Sequence, residues 1–261
     1  MAEGASAVRK SDGDGVEIVT IRNPPVNALS KRVLADLDRV VGEVASDPGA
    51  RAVVLTGEGT YFSAGADLKE VAGIDASGAR TLLETGQRLF SRISSLPPPV
   101  VAAINGLAVG GGLELALACD LRICGDAAKL GAPEVNYGLM PAYGGTQRLA
   151  RLVGPAKARE IIFTGSLIPA AEALRIGLVN RSVPSGQELR AARDLAHAIA
   201  QRAPRAVAAA KRAIASGQDR PLEEGLAIEA AEFLEHVLPS DDLKEGISAF
   251  AERRPPKFRG A

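Results

Sequence analysis

Histidine and cysteine are scarce in this chain, with two of each among 261 residues. A Ser–His or Cys–His hydrolase, or a His-ligated metal enzyme, would have to draw on His197 or His236, and both fall in segments that read as helix surface. Cys119 and Cys124 flank an apparent strand with no third cysteine or nearby histidine to complete a metal set. They read as small core residues in a reducing compartment, and no metal is expected. Net charge is absent too: Lys+Arg 31 balance Asp+Glu 31. No overall field draws the protein to nucleic acid or anionic lipid, although specific phosphate contacts stay open. No stretch approaches the roughly 20 apolar residues of a membrane span. The N-terminus, MAEGASAVRKSDGDG, lacks the apolar centre of a signal peptide. A soluble, cytoplasmic protein is the expectation.

What is present is 46% hydrophobic content, enough for one large domain or a core with an appendage. Residues 16–21, VEIVTI, read as a strand, Ser30 as the cap of a helix over 31–45, and 52–56 as a second, buried strand. A loop over 57–67, GEGTYFSAGAD, suits a backbone that approaches a ligand closely. A helix over 78–96 stops at three prolines, and short extended pieces follow at 121–124 and 129–132. Beyond Gly154 the pattern turns helical, at 155–164, 169–176, 185–201, 204–216, 221–236 and 241–252, with one strand signal at 178–183. Alternation early and helices late predict an α/β core over 1–183 and a helical region over 184–261. The basic tail, FAERRPPKFRGA, reads either as a solvated end or, through Arg253, Arg254 and Lys257, as a small phosphate-binding patch.

The stretch VAAINGLAVGGGLELALACD at 101–120 is the most informative. An apolar run, a turn at Asn105-Gly106 and the glycines 110, 111 and 112 lead into Leu, Ala and Glu, which is strand, turn, helix. Glycines at a helix start leave N–H groups uncovered, so a developing anion can reach them. Glu114 sits two residues further on, in a helix with no polar face. A buried carboxylate is costly without a partner, and the helical neighbours at 110, 111, 117 and 118 carry no cation. Either Glu114 has a structural partner, such as helix N–H groups in a capping box, or it is a general acid or base of raised pKa. The pattern recurs at Glu134, which lies beyond an extended piece and before the glycine-rich NYGLMPAYGG. It reads either as a surface turn residue or as the second carboxylate that acid/base chemistry on one substrate requires.

Together these segments resemble the crotonase, or enoyl-CoA hydratase/isomerase, family. The matching stretches are NPPVNALS at 23–30, YFSAGADLKE at 61–70, AAINGLAVGGGLELALACDLRI at 102–123, APEVNYGLMPAYGGTQRL at 132–149 and FAERRPPKF at 250–258. The resemblance implies an α/β spiral of ββα units with a C-terminal helical region that builds trimers, often paired into hexamers. It implies an acyl-CoA substrate and no cofactor beyond the coenzyme A of that thioester. It places the two N–H groups that hold the thioester oxygen at Ala66 and Gly111, each such donor being worth about 3 kcal/mol. Glu114 would act as base toward a water attacking C3, and Glu134 would supply the proton to C2. The backbone near Ala28 and Ala64, with Asp67, Leu68 and Lys69 beside it, matches the CoA-binding stretches, and Lys257 and Phe258 match the C-terminal segment that approaches CoA.

Tyr143 stands where many relatives have a smaller residue and would shorten the acyl pocket, favouring short chains. GGGLELALACD and GLAIE, at 225–229, are also similar to the branch that hydrates methylglutaconyl-CoA, some of whose members bind RNA. Hydration of a trans-2-enoyl-CoA, a sister reaction such as isomerisation or methylglutaconyl-CoA hydration, and a non-catalytic acyl-CoA- or RNA-binding role are the competing readings.

Overall fold

The computed structural model describes residues 4–261; the first three residues of the N-terminal stretch lie outside it. The chain runs β1 (Ala7–Ser11), β2 (Val16–Ile21), α1 (Lys31–Ala45), β3 (Ala52–Gly57), β4 (Tyr61–Ser63), α2 (Leu68–Val71), α3 (Ala76–Ser94), β5 (Val100–Ile104), β6 (Leu107–Val109) and α4 (Gly111–Ala118). It continues through β7 (Leu121–Gly125), β8 (Lys129–Gly131), a 3₁₀ turn (Pro133–Tyr137), α5 (Gly145–Val153), α6 (Pro155–Thr164), β9 (Leu167–Pro169), α7 (Ala170–Arg175) and β10 (Arg181–Val183). The helices α8 (Glu188–Ala200), α9 (Pro204–Gly217), α10 (Leu222–Glu232) and α11 (Asp241–Ala251) close the chain.

Two sheets organise the α/β part. The larger has the order β1-β2-β3-β5-β7-β10, and the smaller β4-β6-β8-β9. Successive strands alternate between them: β3 then β4, β5 then β6, β7 then β8. Each pair is followed by helix, which is the expected spiral of ββα units. The inner strands of the larger sheet pair in parallel, and β3 and β5 are buried along their whole length, as a sheet covered on both faces requires. On one face α1 lays down Val33, Leu34, Leu37, Val40, Val41 and Val44, while Ser30 Oγ accepts from Val33 N–H at its start. The other face carries α8, whose Ala192, Ala196 and Ala200 meet Val54, Val101 and Ile123. Thus α8, which follows the predicted boundary at 183, packs on the core sheet.

Several expectations are corrected. The polar N-terminal stretch contains β1, an edge strand held antiparallel to β2, with Arg9 paired to Glu17 and Asp47. Strands β4, β6 and β9 have no counterpart in the pattern reading. The helix predicted over 78–96 runs two residues earlier at both ends, because Asp75 accepts from Gly78 N–H and caps it. The helix predicted over 221–236 stops at Glu232 and gives way to one π turn, Phe233–Val237. The tail is largely exposed, as expected of a solvated end, but it is tied to the body of the protein. Arg254 is paired with Glu245 and Glu252, the buried Asp242 accepts from Arg259 and Gly260 N–H at 2.7 and 2.8 Å, and the Phe258 carbonyl accepts from Arg51.

Candidate active site

The site forms where the strands of the smaller sheet end. After β4 the chain turns through Gly65, whose φ of +89° and lack of a side chain let it lie against the Val109 carbonyl and Gly111 nitrogen. Ala66 is thereby brought beside Gly111: a Cβ added at Gly111 would stand 3.3 Å from the Ala66 nitrogen. Gly110, at φ +54°, turns β6 into α4 so that Gly111 opens the helix. Among the described residues neither the Ala66 nor the Gly111 amide has a protein acceptor. Two adjacent free donors, one at a helix N-terminus, make an anion cradle.

All eight residues of α4 are buried, as its composition requires, and Glu114 is 3% exposed. Its carboxylate does not cap its own helix. Oε1 accepts from Tyr143 N–H at 2.8 Å and Gly145 N–H at 2.7 Å, both in the turn before α5. Burial nevertheless pushes Glu114 up to about 7, with the Gly145 amide opposing, the nearby Glu134 adding to the rise, and the Tyr143 amide and Arg148 opposing it. Glu134, on the 3₁₀ turn beyond β8, is half-buried and burial raises its pKa as well. Its Oε2 is buried with no hydrogen-bond partner among the described residues. Two N–H groups thus donate to the Glu114 carboxyl, while the buried Glu134 oxygen has no donor among the described residues.

Glu114, Glu134, Ala66 and Gly111 line one cavity of about 640 Å³. Its remaining wall is apolar, including Val71, Ile74, Leu82 and Leu83 from the α2–α3 region and Leu139 and Met140 from the turn after Glu134. No lysine or arginine lines it among the described residues. Ala64, Leu68 and Tyr143 also border the cavity. The Tyr143 ring stands edge-on to Phe90 at 5.5 Å and fills the space over Gly86, where a Cβ would overlap it.

The other predicted residues lie outside this wall. Ala28 precedes the Leu29–Ala66 bridge, and its carbonyl accepts from Asn23. Asp67 caps α2 by accepting from Lys69 N–H, and the Lys69 side chain is exposed. Lys257 is exposed, and Phe258 packs into a separate groove with Leu243 and Phe250. Sequence reasoning missed the Tyr143 and Gly145 amides and Arg148, 29, 31 and 34 positions beyond Glu114. The glycine pair at 144 and 145, opening a helix whose first turn holds no acid, was the available signal.

A family model described as Enoyl-CoA hydratase/isomerase matches residues 11–261. A probable enoyl-CoA hydratase of Bacillus subtilis is 45% identical over 94% of this chain and 95% of its own. A short-chain-enoyl-CoA hydratase of Clostridium acetobutylicum is 42% identical over 92% of both chains. The crystal structure of an enoyl-CoA hydratase from Bacillus anthracis has a TM-score of 0.94 at 38% identity, covering 98% of this chain and 100% of that one.

Proposed function

The chain belongs to the enoyl-CoA hydratase/isomerase family, and from that premise we propose that it hydrates trans-2-enoyl-CoA thioesters to 3-hydroxyacyl-CoA. The observation that supports this most directly is the convergence of two raised carboxyls and two free amides on one cavity. In the reading, the thioester oxygen accepts from Ala66 and Gly111 N–H. Glu114 takes a proton from water as the water oxygen bonds to C3. The π electrons move onto the thioester oxygen, giving an enolate whose charge the two amides hold. Glu134 then delivers its proton to C2. Water addition is redox-neutral, and these groups provide acid, base and oxyanion donors, so the reading calls for no further cofactor.

Short, uncharged acyl chains suit the apolar wall and the Tyr143 ring. A methylglutaconyl or other dicarboxylic acyl group would bring a second carboxylate to a wall without a cation, so the simple hydratase reading is preferred. Assembly into trimers or hexamers belongs to the same proposal. The groove between α9 and α10 exposes Ile214 at 68%, Leu222 at 77%, Leu226 at 52% and Phe233 at 47%, an apolar face suited to a second copy.

Loss of crotonyl-CoA absorbance on adding enzyme tests the activity, repeated with longer enoyl chains and with 3-methylglutaconyl-CoA. Glu114→Gln and Glu134→Gln should each slow hydration at least about 100-fold. Activity within a few-fold of the parent in either variant would overturn the assigned roles.

A further inference from the structure

The two amides that hold Glu114 belong to a turn, and that turn has a floor. Gly144, at φ 112°, closes it at the start of α5. Arg148 lies one helical turn on and folds back beneath it. Its Nη1 donates to the Tyr143 carbonyl at 3.0 Å, its Nη2 donates to Ser91 Oγ on α3 at 3.4 Å, and a Cβ on Gly144 would collide with the guanidinium. The side chain is half-buried, and among the described residues it has no carboxylate within ion-pair distance. On its far side it borders a cavity with Arg122, Arg151, Arg202 and Lys211 against a single lining acid, Asp120. The anion that acts on it is Glu114, and the attraction is mutual: each favours the charged form of the other.

We infer that Arg148 is a positioning residue for the water-activating carboxylate: it locks the Tyr143–Gly145 turn through the Tyr143 carbonyl and sets a compensating positive charge behind Glu114. This rests on the hydratase reading. The main-chain donors aim the Glu114 oxygen at the cavity only while the turn keeps its shape, and Arg148 ties that turn to α3. The other charged and titratable groups around Glu114 are Glu134 from the 3₁₀ turn and Tyr143, which itself faces Glu70 of α2. Glu134 opposes ionisation of Glu114, which leaves Arg148 as the cation that favours it.

The test compares Arg148→Met and Arg148→Lys with the parent. Crotonyl-CoA kinetics are measured across pH, and the Glu114 carboxyl is titrated by infrared difference against Glu114→Gln. The Met variant should keep KM within a few-fold and lose kcat about 10- to 100-fold through the loosened turn. Its acid limb and its infrared midpoint should both move to higher pH by about one pH unit. The Lys variant keeps the charge without the planar fork, so its midpoints should return towards the parent while kcat recovers only in part. A folded Met variant with the parent's pH profile and infrared midpoint would overturn the inference. Where the Met variant fails to fold, a Lys variant with unchanged kcat would do the same. A parent protein that leaves crotonyl-CoA untouched would sink the hydratase reading instead, while the infrared midpoints still judge Arg148 directly.

Discussion

Burial holds the Glu114 carboxyl at about 7, against an ordinary value of 4.5. Between those limits the folded chain binds a proton that the unfolded chain releases. Stability linked to this group is therefore full at low pH and is lost as pH rises through about 7. Glutamine at 114 keeps an oxygen for the Tyr143 and Gly145 amides and carries no charge. The Glu114→Gln protein should accordingly be more stable than the parent above neutral pH, by on the order of 3 kcal/mol in urea unfolding. The gain should vanish in acid, and a variant no more stable than its parent in alkaline buffer would contradict the burial argument. Activity runs the other way. In the proposed reaction Glu114 must be ionised and Glu134 protonated, so the pair would work with one proton between them. A bell-shaped kcat/KM profile is expected, falling on the acid side as the pair takes up a second proton and on the alkaline side as its last proton leaves.

Among the elements, those with a long apolar period were legible and those defined by pairing were not. α1 announces itself through its stripe and its Ser30 cap, and β3 and β5 through unbroken buried runs. β4, β6 and β9 are three residues each, too short to show a period, and exist because neighbouring backbone is there to pair with. β1 is charged because an edge strand faces water along one side. Within the site, the glycine-rich start of α4 and the oddity of a carboxylate in an apolar helix could be read directly. What holds that carboxylate could not, since its donors belong to backbone 29 and 31 residues away. Gly145 shows how closely α4 and α5 meet at this point: a Cβ there would stand 2.9 Å from Glu114 Cγ and Oε1. Gly145→Ala should therefore displace Glu114, the proposed base, and lower kcat by about 100-fold, the scale of an ångström's misplacement, with KM far less affected. Steady-state kinetics on crotonyl-CoA check this, and an unaltered kcat would mean that the turn yields where the carboxylate does not.

For the whole molecule, the apolar residues on α9 and α10 and the latched tail point outward from a core that is already complete. Leu226→Glu places a charge on the proposed contact face without touching the cavity wall. It should convert an oligomer to single chains in light scattering, and a parent protein that is monomeric at working concentration would remove the assembly proposal. The smaller sheet has a consequence of another kind. Ala66, Gly111 and Glu134 follow β4, β6 and β8, three neighbouring rungs, and rungs of a sheet are about 4.8 Å apart. Backbone pairing thus works as a ruler, spacing amide, amide and acid before any side chain chooses a rotamer. Under the proposed function, chemistry could be rewritten at the third graduation while the first two stay in register for the same thioester oxygen.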